Sequence, residues 1–214
     1  NRYEKHHAFC DVLVVGGGPA GLAAARDAAA GGARVLLCEE RSWLGGLDPC
    51  PAPPGVTVMT RTSVWGWYDG NRLAAAERCV DGPVAQRYWE IRAGRVVLAT
   101  GAVERPLVFA GNDLPGVMLA GAVRRYARLW GVAAGRRIAI FTNNDSAYAA
   151  AADLLEQGVG VVAMIDARRD PPPAAAALAA KGVELRTASV VARAIGGQGL
   201  RAVELAPWDS ARGE

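Results

Sequence analysis

Three glycines and one acidic residue near the start of the chain have types and spacing that could bind a nucleotide. Gly16, Gly18 and Gly21 form the pattern G-x-G-x-x-G, and Glu39 follows at about the 20-residue distance typical of dinucleotide sites. The first glycine permits a tight turn, the second lets a pyrophosphate approach the backbone, and the third lets a helix pack closely on a strand. A carboxylate at the position of Glu39 can accept hydrogen bonds from ribose hydroxyls. The pattern predicts dinucleotide binding, with a plain glycine turn as the alternative.

Regular elements on either side must hold these residues in place. The apolar run Asp11–Val15 predicts a strand buried on both faces of a parallel sheet. The stretch from Ala20 to Ala30 predicts a helix whose free N–H groups and positive dipole end point at the phosphates. A second apolar strand leads into Glu39. Strand, glycine turn, helix and terminal acid together make the motif far more specific than the glycines alone.

The next segment has an unusual composition for a crossover between parallel strands. Four prolines between Gly46 and Val56 exclude a helix there, so either the crossover is an extended loop or residues are missing from the chain. Strands are expected at 56–60 and 62–68, followed by antiparallel strands at 71–80 and 85–91. Arg95–Gly101 should return as a separate buried strand ending in Ala-Thr-Gly. Small residues there, including Gly101, would let a cofactor pass close by.

A second β-α-β unit repeats the first in altered form. Its strand Arg136–Thr142 is followed by a helix at 144–157, which aligns Thr142, Asn144 and Ala147 with the three glycines. Asp166 ends the next strand, as Glu39 does in the first unit. The side chain of Asn144 would occupy the space that a pyrophosphate needs, so the second site is predicted to be empty. A helix at 171–181 and strands at 183–195 and 200–205 should follow.

Composition excludes several classes of function. The 24 basic residues almost balance the 21 acidic ones, giving a net charge of +3, and they are scattered rather than clustered. This argues against a nucleic-acid surface.

The sequence shows no signal for a membrane or for export. No apolar stretch approaches the roughly 18 to 20 residues of a membrane span, and no signal peptide is recognisable. Because the four cysteines are widely spaced without a C-x-x-C pair, we expect a soluble, cytoplasmic protein without a zinc or redox-dithiol site. The chain begins without methionine, so we expect a fragment of something longer.

No catalytic or metal-binding residue is assigned. His6 and His7 are the only histidines, and we expect them to be exposed in a mobile N-terminus. Ser146 lacks the flanking glycines of a nucleophile elbow. Four tryptophans, at 65, 67, 89 and 130, are expected to be core or junction aromatics rather than a binding platform.

The order of elements resembles the α/β glutathione-reductase-like FAD/NAD(P)-binding fold. In that fold a Rossmann-type parallel sheet with a β-meander is interrupted by a second, inserted Rossmann-like unit. The resemblance implies a first dinucleotide-binding domain at 1–109 that resumes after 205, and an inserted domain at 110–204. More specific segments resemble the alpha subunit of heterotetrameric sarcosine oxidase, with related opine, proline and amine oxidoreductase subunits sharing parts of the pattern. These segments are Ala99–Phe109 (ATGAVERPLVF), Asn112–Leu119 (NDLPGVML) and Phe141–Tyr148 (FTNNDSAY).

This resemblance implies an oxidoreductase subunit that carries no complete active site itself. In that family the alpha-subunit site holds NAD, FAD is held by a beta-type flavoprotein subunit, and FMN lies between these two subunits. Smaller subunits complete the hetero-oligomer, which oxidatively demethylates sarcosine. The isolated chain is expected to be inactive. The residues implied to contact the cofactor are Gly16, Gly18, Ala20, Gly21, Glu39, Glu40, Arg41, Leu47 and Val64.

The sequence departs from the family at three places. Leu47 stands where serine or threonine is favoured, the helix after Gly45-Gly46 is absent, and the chain stops where the first domain should resume. Three other interpretations stay open. One is an FAD-dependent NAD(P)H oxidoreductase with flavin in the first site, since Glu39 suits the ribose of either NAD or FAD. Another is a subunit of an opine or proline dehydrogenase. The third, which the absent helix motivates, is a non-catalytic scaffold whose cofactor site has decayed.

Overall fold

The computed structural model describes residues 2–209 of the 214-residue chain. It contains two compact units, unit 1 (Asn1–Ala102) and unit 2 (Val103–Glu214). Whether unit 2 is an insertion into a longer first domain, with bounds at 110 and 204, remains a prediction.

Unit 1 is a six-stranded mixed sheet with one helix. The elements are β1 (Tyr3–Val15), α1 (Pro19–Ala30), β2 (Val35–Cys38), β3 (Val56–Met59), β4 (Thr62–Tyr68), β5 (Arg72–Arg78) and β6 (Gln86–Leu98). The strand order is β3-β2-β1-β6-β5-β4. Strands β3, β2, β1 and β6 run parallel to one another, and β5 and β4 continue from β6 as an antiparallel meander.

Side-chain alternation in β1 and β2 builds a hydrophobic cluster on each face of this sheet. Val14 and Leu37 pack with Leu22 and Ala25 of α1 on one face. Leu13 and Leu36 pack on the other face, in a cluster that also contains side chains of β5 and β6. Because both faces of β1 are covered near its end, the sequence of that part of the strand is a continuous apolar run. The predicted strand, glycine turn, helix and second strand are confirmed.

Two expectations for unit 1 are wrong. β1 begins at Tyr3, so His6 and His7 lie in a strand rather than in a mobile N-terminus, and His6 stacks on Trp89 with ring centroids 4.9 Å apart. The segments predicted as separate strands at 85–91 and 95–101 form the single strand β6, which pairs with β1 along its length and with β5 over residues 86–92. Gly94 does not break the strand because β1 continues alongside it.

The connection between β2 and β3 is an extended loop without a helix, as its prolines predict. Within it, Leu44 and Cys50 form an isolated antiparallel bridge. Gly45 and Gly46 both have positive φ, at 93° and 70°, which favours glycine at these two positions.

The elements of unit 2 are α2 (Ala120–Trp130), β7 (Arg137–Thr142), α3 (Ser146–Glu156), β8 (Gly160–Asp166), α4 (Ala174–Ala180), β9 (Glu184–Arg186), β10 (Ser189–Gly196) and β11 (Leu200–Pro207). They form a three-stranded parallel sheet of order β7-β8-β9 and a two-stranded antiparallel sheet of β10 and β11. Their cluster of buried side chains includes Ile140, Tyr148, Leu154, Met164 and Leu178. The helices predicted at 144–157 and 171–181 are confirmed as α3 and α4, both somewhat shorter. Helix α2 ends at Gly131, whose φ is 63°.

The strand predicted over 183–195 is wrong in one respect. It is divided into β9 and β10, which belong to different sheets. The division falls at Ala188, whose φ is 47°. A non-glycine residue in this left-handed region turns the chain sharply, so the apolar run continues into a new sheet instead of extending the first.

Candidate functional site

The glycine turn of unit 1 is built by two close backbone approaches. A Cβ on Gly16, whose φ is 104°, would lie 2.3 Å from the carbonyl oxygen of Ala99. A Cβ on Gly21 would lie 1.9 Å from the carbonyl oxygen of Gly16. The Ala-Thr-Gly turn after β6 therefore packs directly against the turn after β1, and α1 packs directly on that turn. Neither glycine leaves room for a side chain.

Gly18 differs from these two glycines because no atom lies within 4 Å of the position its Cβ would take. Its backbone is extended, with φ of −75° and ψ of −177°, so no backbone strain requires glycine there. It is the N-cap of α1, no side chain caps that helix, and its first turn carries no acidic residue. The N–H groups of the first turn have no intrahelical acceptors and remain available to an anion. The open space at Gly18 fits the approach of a phosphate group.

Glu39 holds the glycine turn to the end of β2. Its side chain is buried, and its two carboxylate oxygens accept hydrogen bonds from the backbone N–H groups of Gly17 (2.6 Å) and Arg41 (2.9 Å). The carbonyl oxygen of Gly17 accepts a hydrogen bond of 2.8 Å from the N–H of Gly45. The acid, the glycine turn and the Gly45-Gly46 turn are thus tied into one cradle. Each carboxylate oxygen keeps a lone pair that a ribose hydroxyl could use.

The other predicted contact residues differ in burial. Ala20, Glu40 and Gly101 are exposed, while Arg41 and Leu47 are half-buried in or near the cradle. Val64 is also half-buried, pairs with Ala75 in the meander and packs against the hydrophobic cluster that contains Leu13. A cofactor role for any of these residues remains a prediction.

A cavity of about 380 Å³ adjoins the end of β2 and was not foreseen from the sequence. It is lined by Arg41, Arg61 and Arg78, together with Glu40 and residues of the following loop. The guanidinium of Arg41 lies 5.7 Å from the centre of the Trp43 ring, another lining residue. No sequence signal could have revealed this cavity, because its three arginines are far apart in the chain.

The corresponding turn in unit 2 is filled by its own side chains. The hydroxyl of Thr142 donates to the carbonyl oxygen of Asn144 and accepts from its N–H, at 3.0 and 3.1 Å. The side-chain oxygen of Asn144 accepts hydrogen bonds from the N–H and hydroxyl of Ser146, at the start of α3. These bonds form a local turn ahead of α3, whose N-cap residue Asp145 makes no side-chain capping hydrogen bond.

Asp166, the counterpart of Glu39 in unit 2, is occupied by an internal network. It is buried and accepts hydrogen bonds from the Tyr148 hydroxyl (2.8 Å) and from the backbone and side chain of Arg168 (2.8 to 3.1 Å). Arg168 also pairs with Asp145 at 2.7 Å. Burial alone would raise the pKa of Asp166, but the hydrogen bonds from Arg168 and Tyr148 lower it overall. The carboxylate that would bind ribose is therefore already satisfied.

The two buried thiols of unit 1 are unsuited to redox chemistry. Burial raises the pKa of the Cys38 thiol to about 12 and also raises that of Cys10. Since the thiolate is the nucleophile, neither is reactive at neutral pH. Cys50 is exposed and Cys79 half-buried, and all four cysteines are free.

We therefore expect native protein to react with an alkylating agent at Cys50 first, then at Cys79, and not at Cys10 or Cys38. Peptide mapping after a timed exposure to iodoacetamide at pH 8 would measure this order. The same experiment in denaturant is the control, in which all four should react. Rapid native labelling of Cys38 would contradict the buried placement.

Residues 2–209 contain no group of three or more potential metal ligands. Among these residues there is also no helix of the length and apolarity needed to cross a bilayer. Of the four tryptophans expected to be core or junction aromatics, three are exposed and so lie outside the core: Trp65 by 61%, Trp67 by 53% and Trp130 by 56%. Trp89 is the exception, since it packs against the hydrophobic cluster of unit 1.

Comparison with known proteins gives strong matches to one kind of protein. The chain is 44% identical to the alpha subunit of sarcosine oxidase from Rhizobium meliloti over 231 residues, covering 95% of the chain. It is 47% identical to the same subunit from Corynebacterium sp. (strain P-1), covering 88% of the chain. An opine oxidase subunit from Agrobacterium tumefaciens is 32% identical over 76% of the chain and matches 38% of that protein. The chain spans only 22 to 23% of the two sarcosine oxidase subunits. The first alignment is longer than the chain, so that relative has residues without a counterpart here.

Family models and solved structures agree with these matches. Residues 11–50, which include the glycine turn and Glu39, match the model of FAD-dependent oxidoreductases. The fold is similar to that of L-proline dehydrogenase from P. horikoshii, with a TM-score of 0.65 at 25% identity over 96% of the chain and 42% of that protein. Thioredoxin reductase from T. acidophilum gives the same TM-score at 15% identity, over 96% of the chain and 72% of that protein, a likeness of fold alone. The chain is thus a homologue of one segment of the sarcosine oxidase alpha subunit, with the α/β fold of FAD- and NAD-binding oxidoreductases.

Proposed function

We propose that unit 1 binds an adenine dinucleotide in the cradle formed by the glycine turn, the start of α1 and Glu39. The observation that carries this proposal is the contrast among the three glycines: Gly16 and Gly21 are fixed by backbone contacts, whereas Gly18 faces open space. The pyrophosphate would lie against Gly18 and the uncapped start of α1. The adenosine ribose would meet Glu39, with Glu40 and Arg41 beside it.

The cofactor we propose is NAD, with FAD as the alternative. NAD follows from the resemblance to sarcosine oxidase alpha subunits, and FAD from the family model that matches residues 11–50. Glu39 can bind the ribose of either. A nicotinamide cofactor would supply hydride chemistry and a flavin would supply electron transfer. The residues of this chain would bind and orient the group, and no catalytic residue is assigned.

At the level of the whole assembly, we propose a cytoplasmic complex that oxidises a secondary amine such as sarcosine. The partners would be a beta-type flavoprotein subunit carrying FAD and FMN, and smaller subunits. Support comes from identities of 44 and 47% across most of the chain with proteins named as one subunit of sarcosine oxidase. Amine oxidation would then take place in the partner subunit, consistent with the absence of an assigned catalytic residue here.

A reductase carrying flavin in unit 1 and NAD(P)H in unit 2 is the alternative function. It needs an open second site, but the Tyr148–Asp166–Arg168 network fills the ribose position there. A scaffold without cofactor is the other alternative. It would be favoured if the native protein releases no nucleotide.

Two measurements test the proposal. Denaturing the purified native protein should release NAD, or FAD, in about one equivalent per chain, as measured by absorbance and mass spectrometry.

Replacing Gly18 with valine should reduce nucleotide occupancy by at least roughly tenfold, because the side chain fills the pyrophosphate space. The melting temperature of the nucleotide-free protein should be nearly unchanged, because the space at Gly18 is open. Ala23→Val is the matched control, because it introduces valine at an exposed position of α1. Full occupancy in Gly18→Val would refute the placement.

A further inference from the structure

Three arginines line the cavity that adjoins the end of β2. Arg41 follows β2, Arg61 lies between β3 and β4, and Arg78 ends β5. Two backbone hydrogen bonds join them: the N–H of Arg61 donates to the carbonyl oxygen of Arg41 at 2.8 Å, and the N–H of Arg78 donates to the carbonyl oxygen of Arg61 at 2.9 Å. These two bonds bring the three residues together although they are far apart in the chain.

No guanidinium of this set has a carboxylate partner within residues 2–209. Elsewhere in unit 1, Arg34, Arg72 and Arg87 each pair with an acid. The only acid lining the cavity is Glu40, so its lining carries a formal excess of two positive charges. Two serine hydroxyls, of Ser42 and Ser63, also line it.

Arg61 reaches the cavity from an unusual backbone conformation. Its φ is 52°, one of three positive values among non-glycine residues in the part of the chain described. A long side chain in the left-handed region costs conformational energy, and such residues concentrate at binding sites. The backbone bonds to Arg41 and Arg78 hold it there, which places Arg61 between the other two arginines of the cavity lining.

We propose that this arginine cavity is a phosphate-binding subsite at the adenosine end of the dinucleotide cradle. Guanidinium groups bind phosphate oxygens in bidentate fashion, and serine hydroxyls add further donors. A phosphate dianion matches the excess of two positive charges. The cavity, at about 380 Å³, also has room for more than the phosphate itself.

Two sources could supply that phosphate. One is the 2′-phosphate of a dinucleotide, because arginines near the acid at the end of β2 are where such a group is received in dinucleotide-binding folds. The presence of Glu39 argues against a 2′-phosphate, because an acid at this position ordinarily binds the 2′-hydroxyl of an unphosphorylated ribose. The other source is a separate phosphate-bearing ligand that binds next to the nucleotide. The phosphate subsite does not depend on the dinucleotide proposal, but the 2′-phosphate source does.

Calorimetric titration of the native protein with inorganic phosphate at low ionic strength tests the subsite. Saturable binding should weaken roughly tenfold or more in Arg61→Gln and in Arg78→Gln, as expected when a charge-assisted hydrogen bond is removed. Arg61→Lys and Arg78→Lys, which keep the charge, should recover part of it. Arg92→Gln changes an exposed arginine of β6 outside the cavity and should bind phosphate as the unaltered protein does.

Titrations with NADP⁺ and NAD⁺ distinguish the two sources. If the phosphate belongs to the dinucleotide, NADP⁺ binds more tightly than NAD⁺, inorganic phosphate competes with NADP⁺ alone, and the glutamine variants lose only the NADP⁺ advantage. If it is a separate ligand, phosphate binds equally with NAD⁺ present. Absent phosphate binding, or binding unchanged in both glutamine variants, overturns the subsite. Failure of every dinucleotide to bind, with the phosphate results intact, overturns the proposed function instead.

Discussion

Replacing Gly21 with alanine is expected to destabilise unit 1 by about 3 kcal/mol, at the upper end of the cost of overpacking a core. Helix propensity alone predicts the opposite, because alanine in the middle of a helix is favoured over glycine by about 1 kcal/mol. Contact geometry decides between them. The added methyl group would lie 1.9 Å from the carbonyl oxygen of Gly16, which is backbone and cannot rotate away.

The clash would be relieved only by moving α1 away from the glycine turn. Leu22 and Ala25 of α1 pack against Val14 and Leu37, so that movement would also open the hydrophobic cluster. Nucleotide binding should fall together with stability, because the first turn of α1 would no longer face the phosphates. Gly21→Ala should therefore lose both properties, in contrast to Gly18→Val, which should lose binding alone.

Chemical denaturation followed by circular dichroism would measure the change in the free energy of unfolding. Gly31→Ala is the matched control, since it makes the same chemical change at the other end of α1. There φ is −77° and the nearest atom would lie 3.4 Å from the new methyl group, so we expect a change within about 0.5 kcal/mol. Equal stabilities for Gly21→Ala and Gly31→Ala would show that the close approach of α1 to Gly16 is not real.

The sequence predicted the cradle well because its information is local. Gly16, Gly21 and Glu39 are placed by one strand, one turn and one helix that follow each other in the chain, and each element has its own periodicity. Such features need no knowledge of long-range pairing.

Features that depend on distant pairing were not predicted. The arginine cavity forms because backbone hydrogen bonds join Arg61 to Arg41 and to Arg78, and no local pattern records this. The continuity of β6 through Gly94 depends on β1 beside it. The division between β9 and β10 depends on one backbone angle, at Ala188. Asp166 was predicted as the counterpart of Glu39, but its hydrogen bonds with Arg168 were not predicted.

Replacing Asp166 with alanine is expected to destabilise unit 2 by about 3 kcal/mol. The change leaves the hydroxyl of Tyr148, which is 2% exposed, without its acceptor, and leaves Arg168 with only its exposed partner Asp145. Removing one member of a buried ion pair typically costs about 3–5 kcal/mol, and we take the lower end because Arg168 is one-third exposed.

Two further variants serve as comparisons for the destabilisation expected of Asp166→Ala. Tyr148→Phe removes one neutral hydroxyl while Arg168 still satisfies Asp166, so it should cost about 1 kcal/mol. Asp170→Ala removes an exposed acid shortly after the same strand and should change stability by less than about 0.5 kcal/mol. Hydrogen exchange of the amides in β7 and β8 would report the stability of unit 2 without interference from unit 1.

Acid should abolish the difference between Asp166→Ala and the unaltered protein. Hydrogen bonds from Arg168 and Tyr148 lower the pKa of Asp166 in the folded state despite the opposing effect of burial. A carboxyl whose folded pKa is depressed contributes stability above its unfolded pKa of about 3.9, and loses that contribution as pH falls through the folded value. The gap between the two proteins should therefore be full at pH 7 and shrink progressively below about pH 4, while Asp170→Ala follows the unaltered protein throughout. A gap of equal size at pH 7 and in strong acid would mean that lost packing, and not the charged network, accounts for the effect of Asp166→Ala.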